Sequence, residues 1–189
     1  IKDENNVTIL ERYYADQDKL AFQFQMMAYI SRIALLRKAL RQKPRIIITE
    51  RSVMTDKNVF ASMLKADNKI DHIGYAIYER WFNEFLTDLP TFTFVYLRCS
   101  PEISASRVAK RNRPGEKIPL EYLQRCHTYH DKWLISGDKE SYASHQNATL
   151  CLAADSDFDK DPSAMENCFN AVLNLIENSH EQHTHSALS

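Results

Sequence analysis

Three short apolar runs, RIIIT at 45–49, TFTFVYLRC at 91–99 and ATLCLAA at 148–154, stand between long segments of helical periodicity. No other feature limits the fold as tightly. Strands of this length alternating with helices build a parallel sheet covered by crossover helices, an α/β architecture. The first run has no apolar/polar alternation and lies between Pro44 and the charged pair Glu50-Arg51, so it reads as a strand buried on both faces. The run at 91–99 ends at Pro101, which cannot donate to a ladder.

Between the runs, the periodicity predicts a helix over 20–40 with Phe24, Met27, Ile30, Ile33, Ala34 and Leu40 near helical spacing. A second covers much of 52–68, with Val53, Phe60 and Leu64 turned inward, and a third runs over 70–86 with Ile73, Ile77, Trp81 and Phe85. Further helices are expected over 102–113, 120–134 and 162–179. The polar residues 179–189 read as a disordered tail, leaving one domain over 1–178 of the 189 residues.

Charge excludes some partners. The 24 Lys and Arg nearly balance the 25 Asp and Glu, so no overall basic field points to nucleic acid or an anionic membrane. No apolar run approaches the roughly 20 residues that span a bilayer. The stretch IKDENNVTIL lacks a signal-peptide pattern. Cys99, Cys126, Cys151 and Cys168 show no CxxC spacing and read as buried free thiols of a reducing compartment, with a disulfide as the alternative.

Chemistry is expected where charge meets the ends of the strands. Glu50 and Arg51 close the first run, and ligands of open α/β sheets bind beyond the carboxyl ends of their strands. The plainer reading of that pair is a solvated turn. Arg107, Lys110 and Arg111 share one helix face, with Arg113 just beyond, a cluster suited to neutralising phosphate oxygens or simply to solvation. Phe24 and Phe60 offer aromatic faces to a planar ring, and Gln25 a carboxamide that donates and accepts at once. Each of these also reads as ordinary core. Tyr14, Arg32 and Asp56 come within range of them if the helix lines a cleft. His127 and His130, with His180, His183 and His185, allow a metal, although no matching cysteine or carboxylate spacing accompanies them.

The segments FQFQMMAYISR, TERSVMTDKNVFA, VYLRCSPEISASRVAKRNR and IPLEYLQRCHTYHDKWL, in this order, resemble the deoxynucleoside kinase family. The resemblance implies a P-loop nucleoside-kinase-like parallel sheet flanked by helices and transfer of the ATP γ-phosphoryl to a deoxynucleoside 5′-hydroxyl with Mg2+. It gives Glu50 a place near the metal and reacting phosphates, and Arg51 a place at the 5′-hydroxyl. Gln25 matches the glutamine on the base, Phe24 and Phe60 its aromatic neighbours, and Tyr14 with Glu116 the pair on the 3′-hydroxyl. Arg107, Arg111 and Arg113 match the lid arginines, while Asp157 and Phe158 resemble the loop around the ATP adenine. Arg32 and Asp56 resemble the deoxycytidine and purine branch; a carboxylate near a base edge favours an amino-bearing base. The apolar surface of the helices around 20–40 and 70–86 suggests a homodimer, as family members form, and the resemblance implies a cytoplasmic or mitochondrial location.

One family element has no counterpart. GxxxxGK[ST] does not occur, and only three glycines are present. The expectation is a chain whose amino-terminal strands, phosphate loop and general base belong to a segment outside these residues. Its 45–49 and 91–99 strands then lose the central partner between them. The alternatives are a non-catalytic relative serving as a binding or accessory subunit, and a nucleoside monophosphate kinase of related fold.

Overall fold

The computed structural model describes residues 1–113, 118–136 and 149–186, with side chains to 178 in the last stretch. The chain divides into two compact units, Ile1–Pro90 and Thr91–Ser189.

The first unit is helical. Helix α1, Ile9–Ala15, starts at a capping box in which Glu11 N–H donates to Thr8 Oγ1 at 3.2 Å and Thr8 N–H to Glu11 Oε2 at 2.7 Å. Helix α2, Gln17–Arg41, starts at Asp16, whose carboxylate accepts from Lys19 N–H. It buries Ala21, Gln25, Tyr29, Ile33 and Leu36, a row three and four residues apart. A buried capping box of Ser52 and Thr55 opens α3, Val53–Thr55. The backbone then continues through a π turn, Asp56–Ala61, into α4, Ser62–Ala66. Such turns recur at functional sites, and this one carries both Asp56 and Phe60.

Helix α5, His72–Leu86, packs on α2 through Tyr75, Tyr78 and Phe82. The Tyr29 and Phe82 rings lie 5.4 Å apart, and the Tyr29 hydroxyl donates to the Phe82 carbonyl at 3.1 Å. Ile73, Ile77 and Trp81 face outward instead, 72%, 42% and 44% exposed. The apolar row predicted from spacing exists, but the tyrosine-bearing row is the buried one.

The predicted strand at 45–49 is not one. This segment joins no sheet among the described residues, and Ile46 and Ile48 are exposed. The physical reason is pairing: a strand is held by a neighbour's hydrogen bonds, and none is offered here.

In the second unit, β1, Phe94–Arg98, and β2, Thr149–Ala153, pair in parallel with Phe94 opposite Thr149 and Arg98 opposite Ala153. Both were expected to be buried. Instead, β2 alternates exposed and half-buried residues, because a pair of strands leaves edges and part of a face uncovered. Helix α6, Pro101–Arg111, begins with proline in its first turn. Helix α7, Leu120–Leu134, lies along β1, with Trp133 edge-on to Phe94 at 5.0 Å and His130 stacked on Tyr96 at 5.7 Å. Helix α8, Pro162–Ser186, packs on β2 and continues into the segment read as a disordered tail. No proline or glycine interrupts it after Pro162, so nothing stops propagation there. The four cysteines are free as expected but not buried: Cys151 is exposed on its strand and the other three are half-buried.

Candidate functional site

In the first unit, a polar group is assembled beneath aromatic side chains. Asp56, 3% exposed, accepts from Arg32 through Nε at 2.8 Å and Nη2 at 3.4 Å. The Arg32 fork also reaches forward, with Nη1 donating to the Glu50 carbonyl at 3.1 Å. Gln25, equally buried, donates from Nε2 to the Asp56 carbonyl at 3.1 Å. One residue of the π turn therefore holds Arg32 with its carboxylate and Gln25 with its backbone. Burial pushes the Asp56 carboxyl above its ordinary 3.8, and the Arg32 hydrogen bonds and the Arg32 and Arg51 charges pull it back. Burial also raises the Tyr29 and Tyr78 phenols well above the usual range, so both are neutral at physiological pH.

The aromatic groups follow a different pairing from the expected one. Phe24 stacks on Tyr13, ring centroids 4.4 Å apart and 12° from parallel, while Tyr14 stands exposed beside Tyr13. The Phe60 ring is capped by the Arg51 guanidinium at 4.9 Å. Arg51 adopts a left-handed φ of 63°, an uncommon conformation for a non-glycine residue, and its carbonyl accepts from Thr49 Oγ1 at 2.9 Å. Glu50 is exposed. Gln25, Arg32, Asp56 and the Glu50 backbone are thus brought together, and Arg51 and Phe60 form a second pair.

In the second unit, the carboxyl ends of both strands carry charge. Asp155, just after β2, accepts from Ser100 N–H at 2.7 Å, which holds its carboxyl below the usual range. Arg107 donates to the Ser156 carbonyl at 2.8 Å and from Nη1 to Cys99 Sγ at 3.3 Å. It therefore ties α6 to the turn that carries Asp157 and Phe158. Asp157 shapes that turn, its carbonyl accepting from Lys160 and Asp161 N–H at 2.8 Å each. Arg111 closes α6, where a cation also suits the helix dipole, and left-handed Asn112 at φ 46° separates it from exposed Arg113. Glu116 lies outside the described residues.

His127 and His130 are used structurally, and the side chains of His180, His183 and His185 lie outside the described residues. His127 Nδ1 lies 3.1 Å from the Cys99 carbonyl and His130 Nδ1 2.7 Å from that of Cys126. Among the described residues no group of three or more His, Cys, Asp or Glu can hold a metal by itself. A single carboxylate such as Glu50 still fits Mg2+, which keeps its waters and takes one or two carboxylates together with substrate phosphates.

Sequence reasoning passed over Tyr13, Tyr78 and the cluster at the end of β1. There Asp131 accepts from Arg98 Nη2 at 2.7 Å and Tyr96 Oη at 2.9 Å, with His127 Nε2 3.3 Å away. The available signal was spacing: Tyr96 and Arg98 share a strand face, and His127, His130 and Asp131 share a helix face.

The first unit thus holds a buried carboxamide and a forked ion pair, and the second carries charged side chains beyond the ends of a parallel β pair. A family model described as deoxynucleoside kinase matches residues 1–177, and the chain belongs to that family, whose fold is the P-loop kinase fold. It is 30% identical over 172 residues to a probable deoxycytidine kinase of fowlpox virus, covering 89% of this chain and 72% of that protein. With human deoxycytidine kinase it shares 34% identity over 143 residues, 70% of this chain and 55% of the relative. With the mitochondrial deoxyguanosine kinase of Xenopus laevis it shares 28% over 180 residues, 89% of this chain and 68% of the relative. The chain spans 53% of the length of the bovine deoxycytidine kinase and 66% of that of the mouse protein.

Proposed function

We propose that the protein is a deoxynucleoside kinase that moves the ATP γ-phosphoryl to the 5′-hydroxyl of deoxycytidine or a purine deoxynucleoside. The observation that carries this reading is the buried Gln25–Asp56–Arg32 group: it offers a donor, acceptors and a fixed cation at one spot, which is what reading a base edge requires. Phe24 and Phe60 would flank the base, and Tyr14 with Glu116 would hold the 3′-hydroxyl. Arg51 leaves the Phe60 face it caps and takes the 5′-hydroxyl region when a base stacks there.

In the reaction the 5′-oxygen attacks the γ-phosphorus and the bond to ADP breaks. The proton passes to a general base that the family resemblance places with the phosphate loop, a motif not found among these 189 residues. Arg107, Arg111 and Arg113 would neutralise the transferring phosphates, and Asp157 with Phe158 would lie against the adenine. Glu50 would hold Mg2+ in part, and the ion would supply charge neutralisation at the phosphate oxygens. The exposed Ile73, Ile77 and Trp81 of α5 support a homodimer. The similarity to a mitochondrial relative supports a cytoplasmic or mitochondrial site of action.

The test uses the full protein that carries this chain, labelled ATP, Mg2+ and a panel of deoxynucleosides. Label in the 5′-monophosphates of deoxycytidine, deoxyadenosine or deoxyguanosine is expected. No transfer to any deoxynucleoside overturns the reading. Binding without transfer points to an accessory subunit, and transfer only to monophosphates points to a nucleotide kinase.

A further inference from the structure

Behind the Gln25 amide lies a hydroxyl whose hydrogen bond is not closed. Tyr78, on α5, is fully buried. Its phenolic oxygen lies against the Gln25 side chain, yet it completes no hydrogen bond. Such a group is costly to keep, and phenylalanine would fill the same volume without that cost.

Gln25 explains what the hydroxyl can do. A carboxamide turned by half a rotation exchanges donor for acceptor, so a free glutamine reads two opposite base edges equally well. One Nε2 hydrogen is already spent on the Asp56 carbonyl at 3.1 Å. Burial raises the Tyr78 phenol pKa and the same amide pulls it back down, because the Tyr78 oxygen faces that amide as an acceptor. The second Nε2 hydrogen thus has a place to go, and the carboxamide oxygen is left for the base edge.

We propose that Tyr78 is a positioning residue: with the Asp56 carbonyl it holds the Gln25 carboxamide in one orientation, and so sets which base edge the site accepts. The proposal rests on the deoxynucleoside reading of this pocket. With the amide held, a base that pairs an amino group with a ring nitrogen, such as cytosine, is distinguished from one that pairs a carbonyl with a ring N–H, such as uracil. With the amide free to turn, both are accepted.

The experiment is calorimetric titration of the full protein and its Tyr78→Phe variant with deoxycytidine and deoxyuridine, alongside their thermal midpoints. Wild-type protein is expected to favour one of the two by roughly tenfold or more, since a site that pairs a polar edge rejects the mismatched one. Tyr78→Phe is expected to bring that ratio within about threefold of unity with no loss of midpoint, because the lost hydroxyl made no closed bond in the empty site. In a Gln25→Glu background no amide orientation is left to hold, and Tyr78→Phe should leave the ratio unchanged. A ratio that survives Tyr78→Phe, or two affinities that fall together, overturns the proposal and leaves Tyr78 as core. Failure of the wild-type protein to bind any deoxynucleoside overturns the pocket reading itself, and the proposal with it.

Discussion

Replacing Arg32 with alanine removes the cation that hydrogen-bonds the Asp56 carboxylate. Asp56 is 3% exposed, and the Arg32 side chain is 29% exposed. Breaking a buried ion pair costs about 3–5 kcal/mol because the remaining charge is left uncompensated. Water reaches the vacated arginine site here, so the loss at neutral pH belongs at the low end, about 3 kcal/mol. The pH dependence carries the sharper signature. Burial already raises the Asp56 pKa above 3.8, so above that value the folded protein holds a proton that the unfolded chain has released. Stability therefore falls as pH rises from 3.8 through the folded pKa. Arg32→Ala pushes that folded pKa further up, which lengthens the window and deepens the fall. Urea unfolding of wild type, Arg32→Ala, Asp56→Asn and the double variant across about pH 4 to 8 measures this directly. Arg32→Ala should lose stability steeply with rising pH, and adding Asp56→Asn should restore much of it. A pH-independent loss in Arg32→Ala, or no rescue by Asp56→Asn, refutes the claim that the arginine's work is to compensate this carboxylate.

Three further outcomes are expected. Asp131→Asn should cost about 1 kcal/mol at neutral pH by weakening the Arg98 fork. Asp131 is held below its ordinary 3.8 mainly by Arg98, so its contribution is present above 3.8 and lost as pH falls; the acid limb of an unfolding-versus-pH curve should flatten in the variant. Trp81→Glu, on the outward row of α5, should convert a dimer to a monomer in sedimentation, and a wild-type protein that sediments as a monomer refutes that surface's role. Removing Mg2+ with chelator should abolish phosphoryl transfer while leaving deoxynucleoside affinity within about twofold by calorimetry, since the ion acts on phosphate oxygens rather than on the base.

The helices were legible in the chain because their evidence is internal to each segment. Apolar period and capping residues such as Asp16 and Asp71 act within one turn of where they stand. Which face turns inward was less legible. Helix α5 has one row of Ile73, Ile77 and Trp81 and another of Tyr75, Tyr78 and Phe82, and hydrophobicity alone favours the first. The second is buried because its partner is also a tyrosine face: Tyr29 stacks on Phe82 and spends its hydroxyl on the Phe82 carbonyl. A tyrosine is core where its oxygen has somewhere to go, and that depends on another helix. For the same reason Tyr78 was invisible as anything but packing, while Gln25, Arg32 and Asp56 stood out as polar groups in matched motifs.

The isoleucine run shows the same principle from the other side. Ile46, Ile47 and Ile48 have the composition of a buried strand, and in the first unit Ile48 is 80% exposed with no ladder beside it. Strand propensity measures how well a side chain fits a pleated surface that neighbours have already built, so composition predicts a strand only on condition that the sheet is there. The β1 and β2 pair shows the condition met at one edge each, and its side chains are accordingly only half covered. Glu50 and Arg51 inherit this dependence. Their chemistry was predicted from the end of a strand, whereas the contacts they make come from Arg32 reaching the Glu50 carbonyl and Arg51 lying on Phe60. The polar group centred on Asp56 is set by residues within its own unit, and a ladder at 45–51 would need a strand placed beside it.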